Sequence, residues 1–290
     1  MNLPLFRPPA EADSLILQID QGCPYNRCSF CGMYKDVPYR QLPIERVNDM
    51  IALEARRHGE ARRIFLADGD VMRRPFDELA AILAMLQGKF TRLARVNSYA
   101  TGSAIDEKTD AQLLALRRLK LHTLYMGLES GDDATLKRMR KAESAGRMVE
   151  AGRRAQSAGM HLSVMVLLGL GGKDRTSEHA RLTAFALNEM QPRLLSALRG
   201  IPAPATPWHD EISRGKFRQL TGYETIQELR MLLEGLNLER TVFRANHNSN
   251  IVPLEATLPR DKQRLIAELD ALLASDKLDK QSPGPMPLWL

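Results

Sequence analysis

The chain has 290 residues, 44% apolar and 26% charged, with 41 Lys and Arg against 35 Asp and Glu for a net charge of +6. That size suits one large α/β domain or two small ones, and it excludes a chain that needs staples to hold a core. Its apolar runs are strand-sized and its start is too polar for a secretory signal, so no membrane span is indicated and a cytoplasmic protein is expected. The basic residues lie in short helical patches without aromatic interleaving, so a nucleic-acid platform is not indicated either.

In chain order, 14–20 reads as a first strand, followed by a loop that holds every cysteine. Residues 43–58 read as a helix, with Pro43 near its start and Gly59 just past its end. A second strand at 63–66 leads to a helix at 76–87 closed by Gly88. Strands at 95–99, 123–128, 162–168 and 194–198 follow. Helices at 110–120, at 144–158 with Gly159 as its cap, and at 176–190 separate them, the last stopped by Pro192. Beyond them, Ile226, Leu229, Leu233 and Leu236 form a helical stripe over 223–236. A short seventh strand is expected at 241–244, a helix at 259–274, and a proline-rich tail at 281–290 that is a surface strap or disordered.

Six βα units in alternation imply a parallel sheet. Polar residues follow strands one, two, four, five and six. Barrel strands converge at their C-terminal ends and bring such loops to one site, whereas an open sheet uses a single switch point. The expected fold is α/β: a partial TIM-type (β/α)6 barrel with a C-terminal helical extension. Its divisions are an arm at 1–13, the barrel core at 14–210, the extension at 211–280 and the tail at 281–290.

The three cysteines lie within nine residues, as Cys23-Pro-Tyr-Asn-Arg-Cys28-Ser-Phe-Cys31. A disulfide framework wants an even number spread along the chain, so this cluster points to a metal centre. Three thiolates are one short of a closed tetrahedral site, and an open position is where chemistry takes place. Zinc completed by His58 or His247 is one reading of the cluster, and a non-catalytic iron–sulfur or zinc-binding sensor or scaffold is the alternative to an enzyme.

The segment GCPYNRCSFCGMYK at 22–35, placed after the first strand, resembles the radical S-adenosylmethionine (SAM) superfamily, and the resemblance extends over 14–210. It implies an enzyme in which Cys23, Cys28 and Cys31 hold a [4Fe–4S] cluster. SAM would chelate the fourth iron and be cleaved reductively to a 5′-deoxyadenosyl radical that takes hydrogen from a substrate. It also implies that Phe30 meets the adenine and that Asp68, Gly69 and Asp70 hold the SAM ammonium group. Glu129 and Ser130, in Gly-Leu-Glu-Ser-Gly after the fourth strand, would reach the methionyl group or ribose. Gly169 would lie beside the adenine, and Arg199 would face the SAM carboxylate or the substrate. His247, in Asn-His-Asn-Ser-Asn, is a candidate substrate ligand or proton carrier, and with Arg199 a candidate catalytic group. The loop has four residues between its first two cysteines, where the family usually has three. No cysteine remains for a second cluster. A flavodoxin- or ferredoxin-type reductant is implied, and such acidic carriers suit a basic surface.

Overall fold

The structure is a computed structural model, and it describes residues 6–285. Its elements are β1 Leu15–Gln18, β2 Asp20–Gln21, β3 Arg40–Gln41, α1 Ile44–His58, β4 Arg63–Ala67, α2 Phe76–Lys89, β5 Arg95–Tyr99, α3 Gly102–Asp106, α4 Asp110–Arg118 and β6 Leu121–Glu129. There follow α5 Asp133–Arg138, α6 Ala145–Ser157, β7 His161–Leu168, α7 Gly172–Met190, β8 Leu194–Arg199, α8 Pro207–Ser213, α9 Gly222–Gly235, β9 Thr241–Arg244, β10 Glu255–Leu258 and α10 Lys262–Leu273. The main sheet has eight strands in the order β1-β4-β5-β6-β7-β8-β9-β10. It is mostly parallel, with β10 running antiparallel to β9.

Each of the six expected parallel strands is present, and β9 matches the expected seventh. In β4, Ile64 to Ala67 are all buried, as in a parallel strand covered on both faces. The C-terminal extension differs from expectation because it adds β10 to its helices. Glu-Ala-Thr-Leu alternates exposed and buried but is only four residues long, too short for its period to stand out. Helix α2 runs through Gly88 to Lys89, because the Phe90 N–H bonds to the Leu86 carbonyl and Phe90 is buried beyond it.

The chain forms two compact units. One contains the described residues through Asn26, then Met33–Met126 and Glu150–Leu162. Its core includes Phe65, Ala67 and Tyr125, with Phe65 and Tyr99 edge to face at 5.1 Å. Of the expected N-terminal arm, 6–13 are described and 1–5 lie outside the described residues; buried Glu11 ties it to this core, accepting from Asn97 Nδ2 (2.8 Å) and from the Tyr125 hydroxyl. The second unit contains Arg27–Gly32, Gly127–Val149 and the described residues from Ser163 onward. One of its clusters packs Phe30, Leu167 and Ile212 against Met139, Leu170, Trp208 and Phe217. The first four tail residues, 281–284, and Pro285 are described; 286–290 lie outside the described residues.

Candidate functional site

In the first unit, β1 leads through β2 into the cysteine loop. Gly22 has φ +74°, where a side chain is strained, and a Cβ there would lie 2.8 Å from the Val37 carbonyl. The loop then passes against the end of β4, where Gly69 leaves room for Cys23. Asp68 precedes it and is 1% exposed. Its carboxylate accepts from Gln18 Nε2 (2.6 Å), from the Tyr34 hydroxyl (3.2 Å) and from the Gly22 backbone. Burial pushes this carboxyl above its ordinary range, and the three donors pull it back. Burial and the nearby charge of Asp68 push the Tyr34 phenol far up, so it stays a neutral donor. Asp70 is turned away to α3: it accepts from Thr101 Oγ1 (2.6 Å) and N–H (3.2 Å) and lies 3.8 Å from Arg73.

The second unit carries the rest of the cysteine loop. The Ser29 N–H donates to the Met139 carbonyl (2.8 Å), and the Ser29 carbonyl accepts from the Trp208 N–H (3.0 Å). These two bonds pin the segment between Cys28 and Cys31 to the end of α5 and the start of α8. Phe30 packs on the Trp208–Phe217 cluster. Glu129, at the end of β6, has φ +63° and forms an ion pair with Lys141 at 3.5 Å. A Cβ on Gly127 would meet Glu129 Oε1 at 2.0 Å, so glycine at 127 lets the carboxylate fold back. Lys141 also donates to the Gly127 carbonyl (2.7 Å). Burial would lower its pKa, but the charges of Glu129, Cys28 and Glu143 outweigh burial and hold the ammonium above its ordinary value.

Ser130 is fully buried and bonds to His179 Nδ1 (2.7 Å). Gly169 follows β7 with φ +82° and open space where a Cβ would point. Arg199, at the end of β8, spends its guanidinium on three carbonyls: Ser249 (2.6 Å), Pro283 and Pro285. Its backbone N–H donates to Asn250 Oδ1 (2.7 Å). Arg199 and His247 meet through Ser249, whose N–H donates to His247 Nδ1 at 3.1 Å. Burial lowers the His247 pKa, consistent with a neutral ring accepting at Nδ1.

Sequence reasoning missed Gln18, Tyr34, Lys141 and His179. Tyr34 lies within the quoted cysteine segment, and a buried aromatic with a polar tip next to that loop is the one signal available. The others carry no local pattern.

None of the cysteines is in a disulfide, and each is partly buried. Among the described residues, no three His, Cys, Asp or Glu side chains are grouped to hold a single metal ion. The donor set is three soft thiols on one short loop. Two of its flanking contacts are made by glycines that admit the backbone, and buried Ser29 Oγ has no hydrogen-bond partner among the described residues. Those features fit an iron–sulfur cluster with an open corner. No helix among the described residues is long and apolar enough to cross a membrane.

The Radical SAM superfamily model matches residues 17–183. Solved structures with a similar fold include methylornithine synthase (PylB), at 16% identity and TM-score 0.54 over 89% of this chain and 81% of that one. HydG, a maturase of the [FeFe]-hydrogenase, matches at 19% identity and TM-score 0.52 over 79% of this chain and 50% of that one. Coproporphyrinogen III oxidase (HemN) from Escherichia coli, described as a radical SAM enzyme, matches at 14% identity and TM-score 0.57 over 76% and 51%. The chain thus spans about half the length of the last two. No curated protein is significantly similar in sequence.

Proposed function

Because this chain belongs to the radical SAM superfamily and is an enzyme of that family, we propose that it holds a [4Fe–4S] cluster on Cys23, Cys28 and Cys31 and abstracts hydrogen from a substrate through cleaved SAM. The observation that carries this reading is the donor set itself: three partly buried thiols on one loop after β1, with its backbone pinned at Ser29. When bound, the cluster supplies the electron that breaks SAM to a 5′-deoxyadenosyl radical.

The chain's own groups divide by whether their polar atoms are already engaged. Gly69 offers its carbonyl oxygen to the SAM ammonium group, and buried Asp68, its carboxylate already held by Gln18, Tyr34 and the Gly22 backbone, fixes the loop that carries it. Asp70, Ser130 and Arg199 have side chains committed within the protein, so they contribute backbone and loop shape. Glu129 and Lys141 form a partly buried pair beside Cys28, where the ammonium balances thiolate charge. Phe30 and Gly169 offer the flat surfaces suited to adenine. His247, neutral and joined to Arg199 through Ser249, is the group available to carry a proton for the substrate. The reductant is an acidic one-electron carrier of flavodoxin or ferredoxin type, matched by the net charge of +6, and the setting is cytoplasmic.

Anaerobic reconstitution followed by iron and sulfide analysis and chromatography of 5′-deoxyadenosine tests this reading. Wild-type protein is expected to bind iron and sulfide and cleave SAM under reduction, and Cys28→Ser to abolish cleavage. Stoichiometric zinc with no cleavage would favour the sensor or scaffold reading.

A further inference from the structure

Helix α9 is apolar along its inner face, with Ile226, Leu229, Leu232 and Leu233 all buried. Glu228 shares that face and is 0% exposed. Burying a carboxylate costs several kcal/mol unless it is well paired, so a helix that only packs would use another leucine there. Both oxygens are aimed. Oε1 accepts the Gly169 N–H at 2.6 Å, and Oε2 accepts the Thr176 hydroxyl at 2.6 Å.

His179 continues the chain. Its Nε2 faces the Leu167 carbonyl at 3.1 Å and Glu228 Oε1 at 3.6 Å. A carbonyl only accepts, so the hydrogen-bond pattern assigns the proton to Nε2, and Nδ1 accepts from Ser130 Oγ. Ser130 Oγ in turn accepts the Asp132 N–H at 3.0 Å. One buried polar chain thus ties the loop after β6, through Ser130, to the loop after β7, through Gly169. The Gly169 peptide is held on one side by Glu228 and is open on the other, where a Cβ would meet nothing within 4 Å. Glu228 lies outside the matched residues 17–183.

We propose that Glu228, acting through Gly169 and supported by His179, is a positioning residue for the adenine side of SAM, which makes α9 of the C-terminal extension a working part of the cofactor site. This rests on the SAM-binding reading given above. A hydrogen bond to a charged acceptor contributes about 1.5–3 kcal/mol, and its loss corresponds to roughly 10- to 100-fold in affinity.

The test is equilibrium dialysis of the reconstituted full chain with three probes: SAM, 5′-deoxyadenosine and methionine. In Glu228→Ala, affinity for SAM and for 5′-deoxyadenosine falls at least about tenfold while methionine binding is unchanged. Glu228→Gln, which keeps an acceptor for the Gly169 N–H, restores most of the loss. Leu232→Ala, a cavity variant on the same helix, lowers stability without this selectivity. Should Glu228→Ala fail to fold, Thr176→Val, which removes the donor to Oε2, shows the same selectivity with a smaller loss. Equal loss for methionine and 5′-deoxyadenosine, no loss, or the same selectivity in Leu232→Ala would overturn the proposal and leave the SAM reading standing. Wild-type protein that loads iron and sulfide but binds no SAM would overturn both.

Discussion

Gly69 and Cys23 stand so close that a Cβ on Gly69 would lie 3.1 Å from the Cα and Cβ of Cys23 and 2.7 Å from the Gly22 carbonyl. Two of those three atoms are backbone and the third, the Cys23 Cβ, is fixed to it, so the contact is relieved only if the cysteine loop or the end of β4 moves. The glycine is there because two chain segments touch, and its own backbone conformation does not require it.

Gly69→Ala is therefore expected to destabilise the protein by about 1–3 kcal/mol, the usual range for overpacking. Because the displaced segment carries Cys23, iron and sulfide bound per chain after reconstitution should fall as well. Full loading of a destabilised variant would separate the packing role from the cluster loop.

Asp20 gives a pH signature. It is fully buried against Arg74, with Nε to Oδ1 at 2.8 Å, and its Oδ2 has no partner among the described residues. Burial pushes its carboxyl up to about 6, with Arg74 pulling the other way. The folded-state value lies above the unfolded one, so the folded protein binds the extra proton, and stability falls as pH rises from about 4 to above 6. Relative to Asp20→Asn, wild type should lose on the order of 3 kcal/mol across that interval, measured by urea melts of the apo protein. Parallel stability curves would contradict the assignment.

Arg199 clamps the tail. Arg199→Met removes the donors to Ser249, Pro283 and Pro285 and leaves those carbonyls without a charged partner. A loss of roughly 2–5 kcal/mol is expected. Limited proteolysis should then cut within 279–285 faster than in wild type, while α10 stays protected.

Thr221 starts α9 with a capping box: its hydroxyl accepts from the Glu224 N–H, and Glu224 reaches back to the Thr221 N–H at 2.7 Å. Thr221→Ala should cost about 1 kcal/mol, seen as a drop in Tm of about 2–4 °C. SAM affinity should be unmoved, since Glu228 lies near the middle of the helix and not at its frayed end.

Much of this was legible in the sequence because it is local. Alternating apolar strands and amphipathic helices, with glycine and proline at their ends, mark six parallel strands and their helices. The three thiols are contiguous, so their donor set is read directly. Short elements were lost: α5 and α8 span under two turns, and β10 has four residues. Lys141 and Glu228 were lost for a different reason. Lys141 meets Glu129 twelve positions away, and Glu228 meets Gly169 fifty-nine positions away. Neither spacing repeats as a helix or strand period.

The sequence by itself determined the chemistry available: a cluster of soft ligands, its place after the first strand, and glycine-bearing loops after later strands. Tertiary structure alone decided which polar groups remain for a ligand. Asp68 faces Gln18 and Tyr34, Asp70 faces Thr101, Glu129 faces Lys141, Ser130 faces His179 and Arg199 faces the tail carbonyls, so each of these side chains has a partner within the protein. The physical reason is that a buried polar atom must be satisfied by whatever the fold brings within 3 Å or so of it. That neighbour is set by packing between segments distant in sequence.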